Sequence, residues 1–274
     1  MKRILTAVIL IPLILALILW GPLWLQMLAA GAIAELALYE YLAIADASGT
    51  RSPRWLVLLC CAVLFAVAYW IPLFLLPAIG IFALVLLAVC SLRSPLDQVL
   101  SDAALGFFGL MYVAFPLVLA PLLITQESGT AQLLFLLVVV WAGDITALYV
   151  GSLWGRHKMA PILSPKKTWE GAAGSMLGSI AAGLGLVASG SILYRRGIAH
   201  LLYTQPWWYW AGMAILLNIA AQIGDLLESA IKRGAGLKNS GSLLPGHGGI
   251  LDRIDALLLA LPVLWYALLF RQSY

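Results

Sequence analysis

The sequence predicts an all-α, polytopic integral membrane protein of about nine transmembrane helices, with an active site built by its C-terminal half and facing the cytoplasm. Hydrophobic residues make up 63% of the 274 and charged residues 10%, with a mean hydropathy of +1.00. A soluble domain runs at roughly 45–50% apolar and about 25% charged. The apolar residues come in long runs, which suit helices better than the alternating strands of a barrel. The charge is concentrated in one place: Gln222 to Asp255 holds three aspartates, a glutamate, four basic residues and a histidine. A bilayer protein that gathers charge in this way is building a site there.

Spans of roughly 17–25 apolar residues cross a bilayer. Candidates lie at about Ile4–Trp20, Leu23–Ala45, Trp55–Ile71, Leu73–Leu92, Ala103–Ile124, Ala131–Val150, Gly171–Tyr194, Trp207–Ile231 and Ile250–Phe270. The cuts at Gly21-Pro22 and Pro72 rest on prolines, which membrane helices also tolerate. Met1-Lys2-Arg3 ahead of an apolar run has the outline of a signal peptide, but the run reaches Trp20 without a polar cleavage region, which fits a retained first span. The whole chain, 1–274, reads as one membrane domain: residues 1–130 are structural and lipid-facing, with room for dimerisation, and 131–274 carry the chemistry.

Nine spans place Lys2, Arg3, Arg51, Arg54, Arg93, Arg156, Lys158, Lys166, Lys167, Lys232, Arg233, Lys238 and Arg253 on one side, leaving Arg195, Arg196 and Arg271 on the other. The positive-inside rule makes the richer side cytoplasmic. Glu35 and Glu40, in the second span, must be near an end, paired or facing a polar cavity. Cys60, Cys61 and Cys90 lie inside apolar runs without metal-ligand spacing and read as packing residues. Trp207 to Trp210 form an interfacial aromatic belt. Gly174 and Gly178 have the spacing of close helix packing.

Three blocks carry chemistry. Asp144 sits in the sixth span, ahead of Gly151, Gly155, Arg156 and Lys158. Ser164-Pro165 then reads as an N-cap followed by proline at the first helical position, and a helix start beside Lys166 and Lys167 suits an anion; the lysines are equally explained as topology charges. In the eighth span Asn218, Gln222, Asp225, Ser229 and Lys232 are spaced by four, three, four and three, on one helix face. Helix–helix hydrogen bonding explains Asn218 and Gln222 but not Asp225, whose carboxylate calls for a cation. Finally, Pro245-Gly246-His247-Gly248-Gly249 offers a turn whose N–H groups suit phosphate oxygens, and Asp252 and Asp255 follow three residues apart. Carboxylates opposite lysines and arginines compose a site for Mg²⁺ and a nucleoside triphosphate. No Walker-type loop or dinucleotide fingerprint is present.

The stretch Ser229-Ala-Ile-Lys-Arg through Lys238, Pro245-Gly-His-Gly-Gly and Leu251-Asp-Arg-Ile-Asp255 resembles the signature of the phosphatidate cytidylyltransferases, the CDP-diacylglycerol synthases. Ser164-Pro-Lys-Lys-Thr-Trp-Glu-Gly171 and Gln222-Ile-Gly-Asp225 are similar to other blocks of that family. One departure is Lys238-Asn239, where the family usually has Lys-Asp. The resemblance implies transfer of CMP from CTP to phosphatidic acid, giving CDP-diacylglycerol and pyrophosphate in phospholipid biosynthesis. It implies Mg²⁺, with a second cation allowed, held by Asp225 and Asp252 first, then Asp255 and Asp144, with Ser229 in or beside the metal shell. Lys166, Lys167, Lys232, Arg233, Lys238, Arg253 and the His247-Gly248-Gly249 turn would bind the phosphates. Of these groups Asp225, Asp252, Lys167, Lys232 and Arg253 are the expected catalytic set. The expected partners are CTP, phosphatidic acid and the bilayer, with no nucleic acid, in a homodimer at the inner membrane of a bacterium. The competing readings are a cytidylyltransferase-like enzyme for another lipid phosphate and a cation-coupled transporter using Asp144 and Asp225 as relay carboxylates.

Overall fold

A computed structural model of the chain describes residues 2–196, 201–241 and 248–272. Ten helices and one two-stranded ribbon occur among them: α1 (Lys2–Trp20), α2 (Leu23–Ala47), α3 (Arg54–Trp70), α4 (Leu75–Arg93), α5 (Val99–Gly109), α6 (Phe115–Ile124), α7 (Gly129–Trp154), β1 (Lys158–Ala160), β2 (Ser164–Thr168), α8 (Trp169–Arg195), α9 (Trp207–Gly234) and α10 (Leu251–Gln272). Seven helical stretches are long and apolar enough to cross a membrane, and Ile11–Trp20 and Arg54–Trp70 are shorter apolar helices. The first predicted span falls on α1, whose last ten residues are Ile11–Trp20, and the third falls on α3.

The proline cuts have local explanations. Pro22 starts α2 in an extended conformation, and the Gln26 amide donates to the Leu17 and Gly21 carbonyls at 3.0 and 2.9 Å, satisfying groups freed by the break. Pro72 opens a 3₁₀ turn, Pro72–Phe74, that runs into α4. Between α5 and α6 the helix widens into a π turn over Leu110–Ala114. Pro116 lies just beyond it, without an N–H for the residue 112 carbonyl, so the ladder must be relieved there.

The chain forms two compact units, Met1–Leu122 with Ile231–Ile254, and Leu123–Ala230 with Asp255–Tyr274. The first has a core of Ala34, Leu38 and Leu42 from α2 with Val57, Cys61 and Leu64 from α3, all fully buried. All three cysteines are buried and free, as packing residues should be.

In the second unit α7 and α8 pack closely. Gly174 faces Val150 and Gly178 faces Thr146, so tightly that no Cβ fits at either position. The small-residue spacing thus joins two helices of one chain, and the same stripe cannot also serve a homodimer. Gly178→Val is expected to lower stability by about 1–3 kcal/mol through overpacking, read as a lower unfolding midpoint in detergent.

The expectation for Ser164 is corrected. Ser164 is not a helix cap: it begins β2, which pairs antiparallel with β1 in the register Ala160↔Ser164 and Lys158↔Thr168. A residue before proline is pushed away from the α region, and a proline is tolerated in a ribbon with only edges. The cap falls instead on Thr168, whose Oγ1 accepts from the Gly171 N–H at 3.1 Å. Glu170 then closes the hairpin, accepting the Arg156 and His157 N–H groups and pairing with His157 Nδ1 at 2.6 Å.

Candidate active site

In the second unit a cavity of about 530 Å³ opens where the hairpin meets three helices. Helix α7 contributes Asp144 and Gly151, the hairpin Lys158, Lys166 and Lys167, the start of α8 Thr168, and α9 Gln222 and Asp225. Lys167 Nζ and Asp225 Oδ2 form an ion pair at 2.6 Å. Asp144 lies within electrostatic range of both, and Asp255 within range of Asp225, Glu228 and Asp144. Gly224 allows this approach, because it abuts the Asp255 carbonyl with no space for a side chain.

The polar stripe of α9 divides in two. Asn218 Nδ2 donates to Ser175 Oγ and Ser179 Oγ, both at 2.8 Å, and Gln222 Nε2 donates to Asn218 Oδ1 at 2.6 Å and to the Ala172 carbonyl at 3.3 Å. These bonds lock α9 onto α8, and Ser179 Oγ donates onward to the Val139 carbonyl of α7 at 2.7 Å. One turn further along, Asp225 enters the cavity instead. Four carboxylates, Asp144, Asp225, Glu228 and Asp255, thus share a neighbourhood in which Asp225 is paired with Lys167.

Among the described residues no group of three or more His, Cys, Asp or Glu is gathered tightly enough to hold a metal ion alone. Mg²⁺ does not require that: it takes one or two carboxylates and fills its remaining positions with water and substrate phosphate oxygens. The hard oxygen donors of Asp225 and Asp144, in a cavity that also holds lysines, fit that demand.

A second polar cluster lies in the first unit. The Asp252 carboxylate accepts from Lys232 Nζ at 2.5 Å, from the Ser240 N–H at 3.2 Å and from the Gly249 N–H at 2.9 Å. Glu40, 2% exposed, reaches the same loop from α2: its Oε2 accepts from Ser240 Oγ at 3.1 Å and from the Leu251 N–H at 2.9 Å. Leu251 opens α10, so Glu40 satisfies an orphan donor at a helix start. Gly241 and Gly249 lie flat against its carboxylate. Helix α9 enters this loop through a Schellman motif: the Leu237 N–H bonds the Lys232 carbonyl at 2.8 Å, the Gly236 N–H bonds the Arg233 carbonyl at 3.0 Å, and Gly236 has φ +71°.

Of the residues expected from sequence, Asp144, Lys166, Lys167 and Asp225 meet at one cavity, and Asp255 lies within electrostatic range of its acids. Lys232, Gly248, Gly249 and Asp252 meet in the loop cluster, where Asp252 works as an organiser of backbone N–H groups. Ser229 is half-buried on α9, Arg233 Nη1 donates to the Leu237 carbonyl at 3.0 Å, and Lys238 and Arg253 are exposed. His247 lies outside the described residues. Lys158 and Glu228 were not expected. Glu228 follows Asp225 by three, on the same flank of α9, which is a legible spacing. The partnership of Glu40 with residues 240 and 251 has no local signal.

The profile of the cytidylyltransferase family matches residues 1–270. The chain is similar to the phosphatidate cytidylyltransferase of Brucella abortus biovar 1 (strain 9-941), 44% identical over 158 residues, 57% of this chain and 54% of the relative. It is 35% identical over 169 residues to the protein of that name from Mycobacterium bovis, covering 62% of this chain and 51% of the relative. It is 37% identical over 140 residues to that of Staphylococcus aureus (strain COL), covering 51% and 50%. The chain thus spans about half the length of the curated relatives it matches.

Proposed function

The chain belongs to the cytidylyltransferase family, and on that premise we propose that it is a Mg²⁺-dependent phosphatidate cytidylyltransferase. It transfers CMP from CTP to phosphatidic acid, giving CDP-diacylglycerol and pyrophosphate. The observation that carries this reading is the Lys167–Asp225 pair in a cavity that also presents Asp144, Lys158 and Lys166. Acid and base together at one wall suit a metal-bound polyphosphate.

An oxygen of the lipid phosphate forms the new bond to the α-phosphorus of CTP as the bond to pyrophosphate breaks. The substrate supplies the nucleophile, so the protein's task is to position groups and offset charge. Lys158, Lys166 and Lys167 neutralise phosphate oxygens, and Lys167 is held in place by Asp225. Asp225, Asp144 and Asp255 would hold Mg²⁺, which when bound polarises phosphate oxygens and offsets charge on the leaving group. In the first unit Lys232, oriented by Asp252, and Arg233, Lys238 and Arg253 are assigned phosphate binding by the family resemblance alone. The basic loops face the cytoplasm, where CTP is found, while the acyl chains stay in the bilayer. A cation-coupled transporter is the weaker reading, because it needs carboxylates free to exchange protons, whereas Asp225 is ion-paired and Lys166 lines the same cavity.

The test is incorporation of label from CTP into lipid by the purified full chain with phosphatidic acid and Mg²⁺. Labelled CDP-diacylglycerol with equimolar pyrophosphate is expected, and chelation should stop it. Label appearing only when a different lipid phosphate is supplied would transfer the reading to that substrate. Lys166→Ala, at an exposed residue of the cavity, is expected to raise the KM for CTP about tenfold through loss of a charge-assisted bond, with a smaller change in kcat.

A further inference from the structure

A second cavity, of about 520 Å³, lies within the first unit, between the α2–α3 connection (48–53) and the α4–α5 connection (94–98). Its wall includes Arg51, Arg93, Ser94, Gln98 and Asp102. Asp102, 1% exposed, builds it: Oδ1 accepts from the Arg51 N–H at 2.8 Å, Oδ2 accepts from Ser94 Oγ at 2.6 Å, and its carbonyl accepts from the Ser52 hydroxyl. One buried carboxylate therefore pins both loops, and both of its oxygens are engaged in doing so.

The two guanidinium groups stand differently from their neighbour. Arg54 is ion-paired to Asp46 at 2.5 Å. Among the described residues neither Arg51 nor Arg93 is paired with a carboxylate, and Arg93 lies over the Trp55 ring at 5.6 Å, a contact that orients the guanidinium plane and leaves its charge in place. Asp97, in the same loop, is exposed and does not line the cavity. Around this basic mouth the leucines are bare: Leu92, Leu96 and Leu100 are 88%, 91% and 74% exposed. Leu96 sits in the connection itself, past the end of α4. Exposed leucine at the ends of apolar helices meets acyl chains, and arginine and tryptophan at that level mark the headgroup layer.

We infer that this cavity binds the phosphate of an anionic phospholipid headgroup, held between Arg51 and Arg93, with the acyl chains lying along Leu92, Leu96 and Leu100. The site uses none of the residues assigned to CMP transfer and stands or falls independently of that reading. A basic residue at a membrane surface contributes about fivefold to attraction of an anionic lipid, so two contribute about thirtyfold.

The experiment is native mass spectrometry of the full chain released from micelles carrying equal amounts of phosphatidylglycerol and phosphatidylcholine. The wild type should retain phosphatidylglycerol selectively. Arg51→Gln and Arg93→Gln should each lower that selectivity about fivefold, and the double variant about thirtyfold. Leu96→Ser, at an exposed loop position, should weaken retention of both lipids without altering the preference for charge, and it tests the lipid contact even if the double variant fails to fold. Equal retention of the two lipids by the wild type, or no effect of Leu96→Ser, overturns the proposal. Displacement of phosphatidylglycerol by excess inorganic phosphate would reassign the site to a soluble phosphate and overturn it equally.

Discussion

Asp225→Asn is expected to lower kcat for the proposed formation of CDP-diacylglycerol by about 10³-fold or more, the scale seen when a group that stabilises transition-state charge is removed. Asparagine keeps the size of the side chain and one acceptor oxygen, so helix α9 should remain locked to α8 by Asn218 and Gln222. What disappears is the negative charge. That removes both the strongest candidate for a metal ligand in the cavity and the partner that holds Lys167 at 2.6 Å. The effect on folding should be small, because the variant also relieves repulsion with Asp144 and Asp255. Metal binding gives a readout independent of turnover: paramagnetic Mn²⁺ in place of Mg²⁺ should bind the wild type and bind Asp225→Asn far more weakly. A folded variant with wild-type kcat and unchanged Mn²⁺ binding would remove Asp225 from the reaction. Asp144→Asn and Asp255→Asn should follow the same direction with smaller losses.

The helices were legible because the bilayer demands long apolar runs, and such runs announce themselves residue by residue. The predicted start of α9 at Trp207 and of α2 at Leu23 coincide with the observed ones. The clustering of acid and lysine was legible for a related reason: charge in so apolar a chain has little to do except function. What was not legible is what depends on distant pairing. Ser164-Pro165 carried a local helix-start pattern, yet its pairing with Ala160 and the cap at Thr168 decided the structure. Gly174 and Gly178 announced close packing without naming α7 as the partner. The return of Ile231–Ile254 to the first unit is likewise a matter of contacts that no window of sequence contains.

Glu40 is the sharpest case, and its replacement should have the largest effect on stability. Glu40→Ala is expected to destabilise the protein by about 2–5 kcal/mol, combining unsatisfied partners with the cavity left behind. The Leu251 N–H and the Ser240 hydroxyl, 211 and 200 residues away in sequence, both lose their acceptor inside a buried pocket. Leu251 is itself fully buried, so water cannot readily replace the lost oxygen. Gly241 and Gly249 lose the surface they lie against, and with them goes the arrangement that lets Gly249 and Ser240 donate to Asp252. Glu40→Gln keeps the volume and an acceptor oxygen and should cost only about 1 kcal/mol. Hydrogen exchange separates a local role from a merely global one. In Glu40→Ala the amides of Gly249 and Leu251 should lose protection well before those of the α2–α3 core, whereas uniform loss would mean that Glu40 only supports the fold. An unchanged unfolding midpoint together with protected amides would show that the glycine-rich loop holds its shape without this carboxylate. If instead the loop loosens, the phosphate-binding role proposed for Lys232 predicts that the proposed synthesis of CDP-diacylglycerol falls in step with that local protection, because Lys232 is oriented by an Asp252 whose other bonds depend on the same loop.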